Sequence, residues 1–336
     1  MTRKPINHVV IMDGTLSSLQ PEFESNAGLT YKLLCRLAPS AHMSLFYVEG
    51  IQWCNMYSLI DLAAGRGITR QIQKAYGFIA ARYRPGDRIF LFGFSRGAYA
   101  VRSLAGVIDQ IGLLRQEFAT QRHVDRVFRH YRNPKPGKAA AGFARLYCHP
   151  GTPVEMIGVW DTVKSLGIPY PLLWRLAPQP VDFHNAALGS SVRNGFHALA
   201  LNETRKAFAP VLWHTRPDWN GHLEQAWFRG AHPDVGGQLG GFFKARPLAN
   251  IPLVWMLEKA ESCGLPLPSG WRAEFPTDPT APAYGTYRGI GKYFLLRQKR
   301  RPLQDPSEYI HPSVAESGIK LPFPNADAPN MGTPRI

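Results

Sequence analysis

No stretch of this 336-residue chain stays apolar over the length a bilayer crossing requires. The first apolar run, Val9-Val10-Ile11-Met12, stops at Asp13 and is too short for the hydrophobic region of a secretory signal. A Sec-type signal and a transmembrane helix are therefore not expected, and the chain is expected in the cytoplasm of the cell that makes it. Cysteine is scarce: Cys35, Cys54, Cys148 and Cys263 lie far apart with no Cys-x-x-Cys pair, which argues against both a zinc site and a disulfide framework. Acid is also in short supply. Asp and Glu number 24 against 39 Lys and Arg, a net charge of +15, and such a surface attracts phosphates, in nucleic acid or on anionic lipid head groups.

The basic residues gather from Arg115 to Lys138, with Arg122, Arg126, Arg129, Arg132 and Lys135 among them, and again in Arg297-Gln298-Lys299-Arg300-Arg301. They read either as solvated helix faces and a basic loop or as an anionic-membrane surface. No helix-turn-helix, zinc-finger or ribonucleoprotein signature accompanies them, so nucleic acid is not the expected partner. Trp174, Trp213, Trp219 and Trp271 read either as an interfacial surface beside these clusters or as core and lid packing.

What the chain does have is a hydrophobic content of 45%, enough for a substantial core, arranged as alternating strand and helix patterns. That alternation predicts an α/β fold, a mainly parallel sheet with helices on both faces. Strands are expected at 8–12, 44–48, 88–92, 154–160 and 225–228, the last of these closing the core. Helices are expected at 30–37, 68–83, 98–108, 124–131, 190–201 and 251–263, with Ile68, Ile72, Ala75 and Ile79 on one helical face. Asn133-Pro134-Lys135-Pro136-Gly137 reads as an exposed loop and 169–180 as an irregular insertion over the sheet. The catalytic domain is expected to span 6–265. A Pro- and Gly-rich flank, 266–336, should pack on it and end in a frayed tail over 326–336.

Gly93-Phe94-Ser95-Arg96-Gly97 stands where the strand 88–92 turns abruptly into an alanine-rich helix. This is the setting of a nucleophile elbow, in which the serine is forced into a strained conformation. Side chains at 93 and 97 would then collide with the adjacent strand and helix, which accounts for both glycines.

A serine hydroxyl is too weakly acidic to attack an ester unaided; it needs a histidine base and a carboxylate to orient that base. In the order Ser, Asp, His, the chain supplies Asp161 after one expected strand and His232 after another. Of eleven histidines, His184, His197 and His214 compete for the role, but His197 falls inside an expected helix, whereas His232 sits in the turn-rich Gly230-Ala231-His232-Pro233-Asp234-Val235-Gly236-Gly237. Asp234 competes with Asp161 as the partner of His232. Oxyanion donors are expected from the backbone N–H of Arg96 and from Asp13-Gly14-Thr15 after the first strand, through Gly14 or Thr15. Asp13 could equally serve only to cap a turn. The same tripeptide fits a haloacid-dehalogenase-type motif except that Ile11 stands where the nucleophilic aspartate belongs, which rules that chemistry out.

Several segments together resemble one family, the uncharacterised bacterial and fungal α/β-hydrolases whose domain is shared with type VI secretion phospholipase effectors. They are Asp13-Gly14-Thr15, the run from Phe90 to Ala98 with Arg102-Ser103-Leu104-Ala105-Gly106, Gly158-Val159-Trp160-Asp161-Thr162-Val163, Ser165-Leu166-Gly167-Ile168-Pro169, His197-Ala198-Leu199-Ala200-Leu201, and Trp227 through Gly237. Met12, where the family has cysteine, and Asn202, where it has an acid, depart from the pattern. The resemblance implies a Ser95-Asp161-His232 triad, hydrolysis of carboxylic esters and, for the effector branch, glycerophospholipid substrates. It also implies delivery by a specialised secretion system, with a secretion or immunity partner that the sequence does not specify. No metal or organic cofactor is expected. The alternatives are a soluble small-substrate esterase or thioesterase, and a catalytically silent protein that uses its basic surface for membrane or nucleic acid.

Overall fold

The computed structural model describes residues 3–37, 42–50, 66–133, 137–163 and 187–318. The insertion expected at 169–180, the tail at 326–336, Cys54, Trp174, His184 and the segment 165–169 lie outside the described residues, as do Pro134 to Pro136 of the expected loop.

Strands β1 (Asn7–Met12), β2 (Met43–Val48), β3 (Arg88–Phe94), β4 (Val154–Trp160), β5 (Val192–Ala200), β6 (His222–Phe228) and β7 (Glu308–Ile310) form one sheet in the order β2-β1-β3-β4-β5-β6-β7. Every neighbouring pair is parallel. Helices α1 (Asn26–Cys35), α2 (Arg66–Ala80), α3 (Arg96–Gln110), α4 (Gln121–Tyr131), α5 (Lys138–Tyr147), α6 (His232–Gly236), α7 (Arg246–Ser262) and α8 (Ser313–Glu316) fill the connections.

Alternate strand residues supply two cores, because successive side chains leave a strand on opposite faces. Val9, Ile11, Phe90, Phe92 and Phe94 are buried with α1 and α7, whereas Val10, Met12, Ile89 and Leu91 are buried with α2 to α5. The apolar stripe of α2 is the one its periodicity predicts, Ile68, Ile72, Ala75 and Ile79. The α/β architecture with helices on both faces of a parallel sheet is thus the observed one. Strand order reverses direction between β1 and β3, and in open α/β sheets the crevice at the carboxyl ends beside such a switch is where ligands bind.

Several elements differ from expectation. The segment expected as a helix over 190–201 is strand β5, clamped between β4 and β6. A central parallel strand is buried on both faces, so Phe196 to Leu201 reads as a continuous Ala- and Leu-rich run that periodicity cannot separate from a helix. β6 does not close the sheet: the three-residue β7 pairs with it from the flank, through Gln225 with Glu308 and Trp227 with Ile310. α1 starts at Asn26, four residues before the expected start, with Ser25 as its N-cap accepting from the Gly28 N–H at 3.0 Å. α5 is a further helix with no counterpart in the sequence reading. Of the tryptophans, Trp213 and Trp271 are buried and Trp219 is half-buried against the core, so these three are packing residues rather than an interfacial surface.

Candidate active site

Ser95 joins β3 to α3 with φ 58° and ψ −117°, a strained backbone for any residue with a side chain. The two flanking glycines make the turn sterically feasible. A Cβ on Gly93 would lie 2.6 Å from the Gly97 carbonyl oxygen, and one on Gly97 would lie 2.1 Å from that of Met12 at the end of β1. The helix start therefore presses directly against the neighbouring strand end, and the Ser95 N–H donates to Trp160 O on the other side at 3.0 Å.

From the end of β4, Asp161 reaches across to the same edge, and His232 begins α6 immediately after β6. His232 Nε2 lies 2.9 Å from Ser95 Oγ, and His232 Nδ1 lies 2.6 Å from Asp161 Oδ2. The carboxylate on Nδ1 selects the tautomer protonated there, which leaves Nε2 to accept from the Ser95 hydroxyl. The imidazole is wedged between the rings of Phe94 and Phe208, at centroid distances of 4.8 and 4.9 Å. All three polar side chains are buried.

Asp161 is more heavily engaged than an orienting carboxylate requires. Burial pushes its carboxyl up, but the positive charge of Arg300 and the hydrogen bonds from His232 and Arg300 outweigh it and hold the group far below the usual carboxylate range. Arg300 donates from Nη1 to Oδ1 at 2.5 Å and from Nη2 to Oδ2 at 2.9 Å, and the Ala200 N–H adds a bond to Oδ1 at 2.9 Å. The remaining reach of the guanidinium goes to Ala200 O and Phe208 O, at 2.8 and 2.6 Å. In sequence, Arg300 sits within a basic run that reads as a solvated loop or membrane surface. In the structure it is buried against the site, and only its neighbours remain outside.

Glu203 is a second residue at the site that no sequence motif marks. Its Oε2 accepts the His232 backbone N–H at 3.1 Å, while Arg205 grips both oxygens from Nε at 2.9 Å and Nη2 at 2.6 Å. Burial pushes the Glu203 carboxyl up, yet the Arg205 hydrogen bonds and charge prevail and lower it. The close spacing of Glu203 and Arg205 in a loop after a strand is the one signal that could have drawn attention to the pair.

The competitors for these roles have other occupations. Asp234 accepts from the backbone N–H groups of Ala231, Tyr284 and Gly285 at 2.8, 2.5 and 3.1 Å, tying the start of α6 to the flank. His197 is buried in β5, where its Nε2 accepts from the Thr162 N–H at 3.1 Å; burial, with Arg102 adding repulsion, pushes it down to about 3, so it stays neutral. His214 is exposed, 4.0 Å from Asp305.

Among the expected oxyanion donors, the Arg96 N–H lies in the first turn of α3, where amides have no partner within the helix. The Gly14 N–H differs from expectation: it donates to Asp13 Oδ1 at 2.7 Å and is already engaged. Asp13 caps its own turn in this way and also accepts from Ser25 Oγ at 2.6 Å and Tyr47 Oη at 2.7 Å. Thr15 remains. Its carbonyl is held by Gln238 Nε2 at 2.8 Å, and its hydroxyl is buried without a partner among the described residues.

His232 opens into a cleft of about 450 Å³ between the loop after β1 and the flank. Leu16, Phe23 and Phe208 give it apolar walls, and Tyr284 and Arg288 line the flank side. Among the described residues no group of three or more His, Cys, Asp or Glu side chains could hold a metal ion, and no helix is long and apolar enough to cross a membrane.

Residues 7–259 match the family model described as the catalytic domain of Tle1-like phospholipase effectors of the type VI secretion system. Arg300, Tyr284 and Arg288 lie beyond that match. An alignment covering 32% of this chain is 32% identical to an uncharacterised protein of Saccharomyces cerevisiae, of which it covers 18%. Similar solved structures include an uncharacterised protein from Pseudomonas aeruginosa, with a TM-score of 0.43 at 15% identity over 82% of this chain and 49% of that one. Another is the Tle1 effector bound to the VgrG spike of the Type 6 secretion system, with a TM-score of 0.35 at 19% identity over 69% of this chain and 51% of that one. The chain thus spans about half the length of these two solved proteins and a smaller share of the yeast relative.

Proposed function

Since this chain belongs to the family of Tle1-like catalytic domains of type VI secretion phospholipase effectors, we propose that it is a serine-dependent carboxylic ester hydrolase acting on glycerophospholipids. The observation that carries this reading is the continuous hydrogen-bonded line Asp161–His232–Ser95, at 2.6 and 2.9 Å, on the point of a strained elbow. In the proposed reaction Ser95 Oγ attacks the ester carbonyl carbon as its proton passes to His232 Nε2. Asp161 stabilises the imidazolium, and the developing oxyanion is met by the Arg96 N–H and by a donor of Thr15. Collapse of the tetrahedral intermediate breaks the bond to the alcohol, which takes the proton from His232 and leaves an acyl group on Ser95. Water, deprotonated by the same histidine, then releases the fatty acid and restores the serine.

The apolar walls of the cleft suit an acyl chain. Two cations suit a phosphate: Arg288 on the cleft wall and Arg96 beside the nucleophile, neither of which pairs with an acid among the described residues. Burial pushes the Arg96 guanidinium down to about 10 but leaves it charged at neutral pH. A fluorophosphonate probe should label the wild-type protein at Ser95 and fail to label Ser95→Ala. Mass-spectrometric profiling of membrane lipids should show free fatty acid and lysophospholipid accumulating with the wild type alone. Equal labelling of the two proteins, with equal ester turnover, would sink the reading. The proposed route out of the producing cell is the type VI apparatus, and appearance of the protein in the medium of a strain lacking that apparatus would refute it.

A further inference from the structure

Between Asp278 and Asp305 the chain contains no acidic residue but six cations, Arg288, Lys292, Arg297, Lys299, Arg300 and Arg301. This part of the flank crosses the mouth of the active-site cleft as a strap with two distinct sides. Its inner side is anchored: Arg300 grips Asp161, Phe294 stands edge-on to Phe208 at 5.3 Å, and Lys206 N donates to Leu296 O at 3.0 Å while Gln298 N donates to Thr204 O at 2.7 Å. Its outer side carries large apolar side chains in water, with Tyr287 70%, Tyr293 60%, Leu295 78% and Leu296 50% exposed. Lys292, Lys299 and Arg301 are exposed among them, and among the described residues none of these three forms an ion pair.

From this juxtaposition we propose that the outer face of the strap, residues 287–303, is a docking surface for an anionic lipid bilayer, seated so that the cleft opens onto the membrane. The chemistry favours that occupant. Apolar side chains interspersed with lysine and arginine, and free of acid, combine burial at the acyl boundary with attraction to head-group phosphates. An interface with a second copy of this chain would bring like charges together. The position also fits, because Tyr284, Arg288 and Gly291 of the same segment line the cleft that holds His232. A lipid extracted at this face would meet the cleft without crossing solvent. The proposal builds on the esterase reading but is tested separately from it.

The test uses the full chain in a Ser95→Ala background, so that binding is read without turnover. It measures co-sedimentation with vesicles of mixed phosphatidylglycerol and phosphatidylcholine against vesicles of phosphatidylcholine alone. Binding should require the anionic lipid and weaken with salt. Lys292→Gln with Lys299→Gln should weaken it about thirtyfold, each lysine near an anionic surface contributing about 1 kcal/mol. Leu295→Ser with Leu296→Ser should weaken it by about tenfold or more. With Ser95 restored, both double variants should hydrolyse a soluble short-chain ester like the parent, which shows that the site is folded. Three outcomes would overturn the proposal: unchanged vesicle binding in both variants, self-association abolished by the leucine changes without any vesicle binding, or binding to a DNA duplex in place of vesicles. Vesicle binding without ester turnover in the Ser95 protein would instead overturn the esterase reading and leave the docking surface standing.

Discussion

Arg300 holds Asp161 by both oxygens, Nη1 to Oδ1 at 2.5 Å and Nη2 to Oδ2 at 2.9 Å, so the carboxylate beside His232 is shared between an imidazole and a buried guanidinium. The sharing has an electrostatic consequence. A carboxylate half neutralised by arginine stabilises an imidazolium less than a free one would. Arg300→Gln, which removes the charge that holds the Asp161 carboxyl down, should therefore move the acidic limb of the ester-hydrolysis profile upward. It should also cost about 3–5 kcal/mol of stability, as expected when one member of a buried pair is removed. Arg300→Lys, which keeps a charge but not the fork, should restore most of the pH profile and less of the stability. An acidic limb that stays in place in Arg300→Gln would mean that the residue acts only through packing.

At Ser95 the backbone conformation itself is costly. With φ 58° and ψ −117°, a residue bearing a side chain stores about 1–3 kcal/mol that glycine would not. Ser95→Ala and Ser95→Gly both lose the proposed nucleophile, so they should be equally inactive and differ only in strain. Ser95→Gly should be the more stable by about 1 kcal/mol, even after the extra chain entropy of glycine in the unfolded state is counted. Urea unfolding of the two proteins side by side reads this difference. Equal midpoints would show that the elbow holds no strain for glycine to release.

Gly97, two residues after Ser95, should be the most intolerant position of the elbow. An added methyl at Gly97 would sit 2.1 Å from Met12 O and 2.6 Å from Asp13 O, backbone atoms at and just after the end of β1, an interior strand of the sheet. Gly97→Ala should cost more than about 3 kcal/mol, in the range of severe overpacking, and lower the melting temperature by several degrees. Gly142→Ala, in open space on the exposed side of α5, should be neutral or slightly stabilising through helix propensity. Comparable melting temperatures for the two variants would overturn the steric account.

Much of this centre is legible in the sequence because it is local. An elbow needs only five consecutive residues, and Asp161 and His232 follow directly from strands whose apolar runs are plain. Arg300 is not legible, since it meets Asp161 from 139 residues away and looks in sequence like one more cation in a solvated run. β7 is three residues long, too short to show a period. The misreading of β5 has a different origin: burial on both faces removes the alternation that distinguishes a strand, and alanine and leucine then favour a helix. In sequence, that expected helix makes His197 a structural residue. It has a structural place for another reason, since it faces the interior from a central strand and accepts the Thr162 N–H just after Asp161.

Buried His197 and half-buried His311 should contribute most to the loss of stability as the pH falls. Burial pushes His311 down to about 4 and His197 down to about 3, against 6.5 for an ordinary histidine. Both folded values lie below the unfolded one, so the unfolded chain binds more protons as pH drops through 6.5, and stability is lost progressively below that point. Each histidine adds about 1.4 kcal/mol per pH unit to the slope. The depressed carboxyls Glu224 and Asp305, each at about 2, act later: their contribution is complete above the ordinary carboxylate range and disappears as pH falls toward 2. His311 stacks on Phe228 at 4.5 Å, so His311→Phe keeps an aromatic ring there while removing the titration. Urea unfolding between pH 7 and pH 5 should show a smaller loss of stability in this variant than in the wild type, the remainder coming from His197 and from His8, His130 and His149, which burial also lowers. A slope equal to that of the wild type would mean that His311 takes up no proton on unfolding in that window.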